Sequence, residues 1–165
     1  MTLRQHGLSG QRELCRIILT ILLQNISTAQ DAKTENATIE KVIHASIGWA
    51  KNKDFKLAYS VIANDSDYLE VDPDSSLIRG FDQLKKNEAF WGSPNFKAIR
   101  YDIRDLTITI SQSGDVAWFY CMLDDINEWK GKSASWVNAR WTGVLEKRKG
   151  QWVIVQNHFS FASKK

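Results

Sequence analysis

Arg140 and His158 are the two side chains whose spacing can bring charge to one place in this sequence. From Trp136, strand alternation puts Trp136, Asn138, Arg140 and Thr142 on one face. From Trp152 it puts Trp152, Ile154, Gln156, His158 and Ser160 on one face, and the turn expected at 147–150 makes the two strands neighbours. If these faces coincide inside a cavity, the planar fork of Arg140 and the ring of His158 hold the anionic end of a ligand. If they do not, Arg140 is a structural anchor, paired with Asp72 or Glu70. Trp49, Tyr59, Trp91 and Trp118 supply flat walls for such a ligand, or else fill a core, and Trp118 and Trp152 read more readily as filling. The expectation is one cavity lined by Arg140, His158, Trp49, Trp91 and Tyr59, with Asp72 at or near its mouth.

Other chemistry lacks its residues. His6, His44 and His158 are scattered, with no cysteine or carboxylate at metal-ligand spacing. There is no glycine-rich phosphate loop and no serine nucleophile motif. Neither a metal nor a cofactor is expected. Asp72-Pro73 reads as a turn former. With Leu69 and Val71 facing a core, alternation turns Asp72 the other way unless a bulge intervenes.

The elements that must position these groups come in a clear order. Ile39, Val42, Ile43, Ile47 and Ala50 recur at three- and four-residue steps, so a helix begins near Ala37, capped by Asn36 or Thr38. Phe55 to Ile62 gives a second helix, and Phe81 to Trp91 a third, stopped at Gly92-Ser93-Pro94. Two short strands lie between them, at Tyr68–Val71 and at Leu77-Ile78. The rest is sheet: 99–110, then 116–123, a polar connection over 127–133, then 136–146 and 152–161. Helices first and long antiparallel strands last is an α+β arrangement. Cys121 falls in an apolar strand as a small core residue.

The chain has 165 residues, 43% of them hydrophobic, enough for one domain with a sizeable core. The net charge is only +3, and after Ala29 basic and acidic residues nearly balance, which argues against nucleic acid as a partner. Before that point a basic stretch ending at Arg16 precedes the apolar run Ile17–Leu23 and then Ser27-Thr28-Ala29. That is the layout of a secretory signal peptide, and the run is too short to span a membrane. The expected organisation is a leader over 1–29, a linker over 30–36 and a domain over 37–163. Cleavage before Gln30 would place the protein outside the cytoplasm; an uncleaved extension would leave it inside.

Three segments carry a family resemblance. The order from Asp54-Phe55 to Ile78-Arg79-Gly80-Phe81, the strand opening Gly114-Asp115-Val116-Ala117-Trp118, and the hairpin from Arg140-Trp141-Thr142-Gly143 through Gly150-Gln151-Trp152 to His158-Phe159-Ser160 resemble SnoaL-like sequences. These belong to the nuclear transport factor 2-like superfamily, which also holds ketosteroid isomerase. The same hairpin resembles the association domain of calcium/calmodulin-dependent protein kinase II. The resemblance implies a cone: a curved antiparallel sheet with three helices on its concave side. It also implies a homodimer paired through the outer sheet face. In ketosteroid isomerase an Asp-Pro at the position of Asp72-Pro73 supplies the general base, but that enzyme's two oxyanion donors fall here at Ser46 and Thr142. The kinase domain carries an acid-Pro pair without catalysis. The resemblance thus implies three functions: a pocket for a flat apolar ligand with an anionic group, a non-catalytic oligomerisation module, or an isomerase, dehydratase or hydrolase using Asp72.

Overall fold

The computed structural model describes residues 31–74 and 76–163, so the leader expected over 1–29 lies outside the described residues. Helix α1 covers residues 31–48 and runs on into a 3-10 turn at Trp49–Lys51. It therefore starts inside the stretch read as a linker, where Ala32, Lys33, Glu35 and Ala37 are all good helix formers. The folded unit that carries the core runs from Thr38 onward, and Ile39 and Ile43 are fully buried in it. Helix α2, Phe55–Ser60, opens on Asp54, whose side chain accepts the Leu57 N–H at 2.9 Å. The expected third helix is broken in two, α3 at Phe81–Lys85 and α4 at Glu88–Trp91.

Strands β1 (Leu69–Val71) and β2 (Leu77–Arg79) precede the long ones: β3 (Phe96–Ile110), β4 (Val116–Trp129), β6 (Trp136–Arg148) and β7 (Gln151–Ser160), with a short β5 at Lys132–Ser133. The order across the sheet is β2-β1-β7-β6-β4-β3. All neighbours are antiparallel except β1 and β7, which are parallel. The sheet curls into a half-barrel. The polar stretch 127–133 is no loose connection. β4 continues to Trp129, and the chain reverses at Lys130 and Gly131, both with positive φ (54° and 74°). Two successive left-handed residues match the twist of a tight hairpin, so the polar composition marked a strand end rather than a loop.

The inner face of the sheet carries the core. On β4, Ala117, Phe119, Cys121 and Leu123 are buried; on β6, Ala139, Trp141 and Leu145; on β7, Trp152, Ile154 and Phe159. Gly143 lies among them because a Cβ there would sit 2.8 Å from the Gln156 carbonyl oxygen and inside the Phe119 ring. Phe119 meets Trp141 edge-on at 5.0 Å, and Trp141 stacks on Phe159 at 5.4 Å.

Candidate functional site

A cavity of about 120 Å³ opens between the inner face and the helical segments, room of the order that takes a single small ring. Its wall carries Trp49, Tyr59 and Trp91 from the helical side, with Trp136 and Phe159 from the sheet. The rings are locked against one another. Trp49 meets Trp91 edge-on at 5.3 Å and Phe55 at 5.2 Å, and Tyr59 meets Phe81 edge-on at 4.9 Å.

The charged residues expected in the cavity are elsewhere. Arg140 and His158 do share a face, since Arg140 pairs with Ser160 and His158 with Thr142, but it is the outer face and both are exposed. The reason is two β-bulges. On β6 the register jumps between Ala139 opposite Leu123 and Trp136 opposite Asp125, so two residues, Val137 and Asn138, oppose one. Asn138 takes a positive φ of 56° and donates its backbone N–H to Asp124 at 2.7 Å. On β7 the pairing passes from Gln156 to Ile154 across one step of β6, leaving Val155 as the extra residue. Each extra residue reverses which parity faces inward. Trp136 and Trp152 therefore face the core, while Arg140 and His158 face out. Trp118 is also outside, 49% exposed, and fills no core. With both cations gone from the cavity, the basis for an anionic ligand goes too.

The cavity wall instead carries two carboxyls that alternation alone did not single out, Glu70 and Asp125. Glu70 sits on β1 opposite Asn157 of β7. Tyr68, two residues earlier, is buried, so it is Tyr68 and Glu70 that face inward, not Leu69 and Val71. The Tyr68 hydroxyl donates to Glu70 Oε2. Asn157 Nδ2 donates to the Tyr68 oxygen at 3.2 Å, and Trp141 Nε1 donates to Asn157 Oδ1 at 2.9 Å. Burial pushes the Glu70 carboxyl up to about 7, and the nearby Asp72 charge adds to the rise, against the lowering effect of the bonds from Tyr68 and Asn157.

Asp125 lies on β4 in line with Leu123 and accepts from Asn127 Nδ2 at 2.7 Å. Its carboxyl is also raised, chiefly by burial. The alternation Ala117, Phe119, Cys121, Leu123 would have reached Asp125 and Asn127 had the strand been carried past Leu123.

Asp72 is half-buried outside that wall, in the turn closed by its own N–H to the Ser76 carbonyl at 3.1 Å, with its carboxyl raised mainly by burial. The carboxyl that this strand presents to the cavity is Glu70, and Asp72 acts on it through charge. Ser46 does line the cavity, but its hydroxyl is spent on the Ile43 carbonyl at 2.9 Å. Cys121 is buried, and burial raises its thiol to about 12, as suits a core residue. Among the described residues no three metal-ligating side chains gather, and no helix is long and apolar enough to cross a membrane.

Comparison with known proteins agrees with this architecture. No curated protein matches the sequence. Among solved structures, the fold is similar to a candidate dehydratase of the NTF2-like family from Streptomyces avermitilis, at 16% identity over 81% of this chain and 99% of that one, with a TM-score of 0.68. It is similar to an NTF2-like protein with a cystatin-like fold from Novosphingobium aromaticivorans, at 12% identity over 87% and 92% of the two chains, TM-score 0.66. A candidate calcium/calmodulin-dependent kinase II association domain from Exiguobacterium sibiricum matches at 6% identity over 79% and 95%, TM-score 0.62. The sequence pattern of the SnoaL-like domain matches residues 39–164, and the chain belongs to that family.

Proposed function

We propose that this chain is a small-molecule enzyme that moves a proton on its substrate, with Glu70 as the proton carrier. The observation that carries the reading is the Glu70 carboxyl in the wall of an aromatic cavity, raised to about 7. A group with that affinity is populated both as base and as acid near neutral pH, which is what general acid–base catalysis needs. Ionised, it takes a proton from a carbon beside an electron-withdrawing group. Protonated, it returns that proton to another carbon, or to a departing hydroxyl. The two outcomes are isomerisation and dehydration, and the similarity to a candidate dehydratase supports the second.

The test is solvent-deuterium incorporation into a panel of small β-hydroxy and β,γ-unsaturated carbonyl compounds. Exchange by the wild type and its loss in Glu70→Gln supports the reading. Exchange that survives Glu70→Gln, or none above background anywhere in the panel, overturns it.

A second part of the reading is assembly. The outer face exposes Trp118 and Tyr120 at 49% and 40%, in a groove lined also by Thr107, Thr109, Thr142 and Val144, and Val137 is exposed further along β6. Such a run of aromatic and β-branched side chains suits a second copy of the same face, giving a homodimer by two-fold symmetry. The kinase association domain with a similar fold makes the non-catalytic assembly module the competing reading.

A further inference from the structure

The chemical bias of the cavity points to what it holds. Among the described residues its wall includes two carboxyls, Glu70 and Asp125, and no lysine, arginine or histidine. Four of its donors are already spent on the protein. The Ser46 hydroxyl donates to Ile43, the Trp49 indole to the Ser46 carbonyl at 3.1 Å, the Tyr59 hydroxyl to Glu88 at 2.6 Å, and the Asn157 amide to Tyr68. What remains for a ligand is the two carboxyls, the indole N–H groups of Trp91 and Trp136, and a set of aromatic rings: Trp49, Trp91, Trp136, Phe96 and Phe159. Aromatic faces attract cations through their quadrupole, and more strongly where water is excluded. An anion placed here would meet two carboxyls with no counter-charge.

We infer that the cavity of this protein takes a small organic cation, a primary or methylated ammonium group, seated between the tryptophan rings and the Asp125 and Glu70 carboxyls. The inference rests on the reading of this cavity as a ligand site, and it names the substrate's class: a small carbonyl compound that also carries an ammonium group, with its acidic carbon within reach of Glu70. The cavity's size limits the cationic head to about the bulk of one small ring. The rings fix its position and Asp125 supplies the charge, so Asp125 sets specificity while Glu70 stays available for the proton.

Three probes of nearly one shape test it: choline, its uncharged carbon isostere 3,3-dimethylbutan-1-ol, and 3,3-dimethylbutanoate. Binding is read from tryptophan fluorescence and, at saturation, from two-dimensional NMR shifts of the tryptophan indoles. Choline should bind at least about tenfold more tightly than the alcohol, as one good cation–π contact allows, and the carboxylate should not bind. Asp125→Asn should bring choline down to the level of the alcohol. Should that variant fail to fold, Trp91→Leu, which removes one ring, should weaken choline more than the alcohol. Equal affinity for choline and the alcohol, or tighter binding of the carboxylate, overturns the cation while leaving a ligand site. Silence from all three probes overturns the ligand site itself, and the cation with it.

Discussion

The Tyr68 hydroxyl donates its proton to Glu70 Oε2, and both groups sit where water has little access. The bond favours the ionised carboxyl, yet burial outweighs it, and Glu70 stays high, at about 7 against an ordinary 4.5. A carboxyl whose folded pKa is raised binds its proton longer in the folded state than in the unfolded one. Stability is then full below the unfolded pKa and falls as pH rises through the folded one. The cost reaches about 3 kcal/mol, from a rise of two to three pH units at about 1.4 kcal/mol each. Glu70→Gln keeps an acceptor for Tyr68 and carries no charge. Urea unfolding should show variant and wild type equal near pH 4, and the variant more stable by about 3 kcal/mol near pH 8, with a residual slope from Asp72 and Asp125 in both. Parallel curves for the two proteins would place Glu70 in water.

Behind that pair stands Asn157, buried, with its amide committed at both ends to Trp141 and Tyr68. Asn157→Ala leaves the Trp141 indole N–H without an acceptor and removes the donor to the Tyr68 oxygen. Stranded buried polar groups cost about 1–3 kcal/mol each. The variant should lose about 3 kcal/mol by denaturant titration. Asn157→Asp should move the midpoint of Glu70 further up, because a second carboxyl would face the first. Carboxyl NMR of selectively labelled Glu70 reads this directly; an unmoved midpoint would separate Asn157 from Glu70.

Arg140 and His158 lie on the outer face, so Arg140→Ala and His158→Ala should each leave binding in the cavity unchanged within about twofold, with a stability change of about 0.5 kcal/mol or less. The same cavity assay with Trp49→Leu should lose affinity. A tenfold loss with Arg140→Ala would mean that the outer face feeds the cavity.

How far the sequence reveals this molecule depends on what each signal measures. Element order was legible because apolar periodicity reports burial over many residues, and the order of helices and long strands is enough for the family. The places of Trp49, Tyr59 and Trp91 on helical segments were legible, although the third helix breaks between Lys85 and Glu88. Arg140, His158 and Trp118 were not, because alternation counts residues and a bulge adds one without changing the composition. Asn138 is a polar residue that tolerates a left-handed backbone, but nothing in its neighbours distinguishes it from a regular strand position. Asp125 was hidden by the assumption that polar residues end a strand, whereas here they line a cavity. Glu70 was hidden because two apolar neighbours, Leu69 and Val71, suggested the opposite parity on a strand of three residues.

The outer face offers a prediction about assembly. Trp118 pairs with Val144 across β4 and β6, and Tyr120 with Thr142. Trp118→Glu places a charge at the centre of this patch without touching the inner face. Sedimentation at micromolar concentration should show dimer for the wild type and monomer for the variant, with the melting temperature of each tracking protein concentration only where a dimer forms. A wild-type monomer across that range would rule out the pairing.

Gly143 tests how closely the inner face is packed. Gly143 pairs with Phe119 on one side and Asn157 on the other. An added Cβ at Gly143 would enter the ring and come within 2.8 Å of the Gln156 carbonyl oxygen, a backbone atom that cannot turn aside. Overpacking of this kind costs about 1–3 kcal/mol. Gly143→Ala should therefore lose about 3 kcal/mol, while Phe119→Ala alone should lose about 3–5 kcal/mol through its cavity. Together the two should cost less than their sum, because removing the ring removes most of the clash that the methyl group causes. A double-mutant cycle in urea measures the difference, and contacting residues couple by about 0.5–3 kcal/mol. The carbonyl contact predicts that the rescue stays incomplete. Strict additivity would mean that the backbone oxygen, and not the ring, keeps this position glycine.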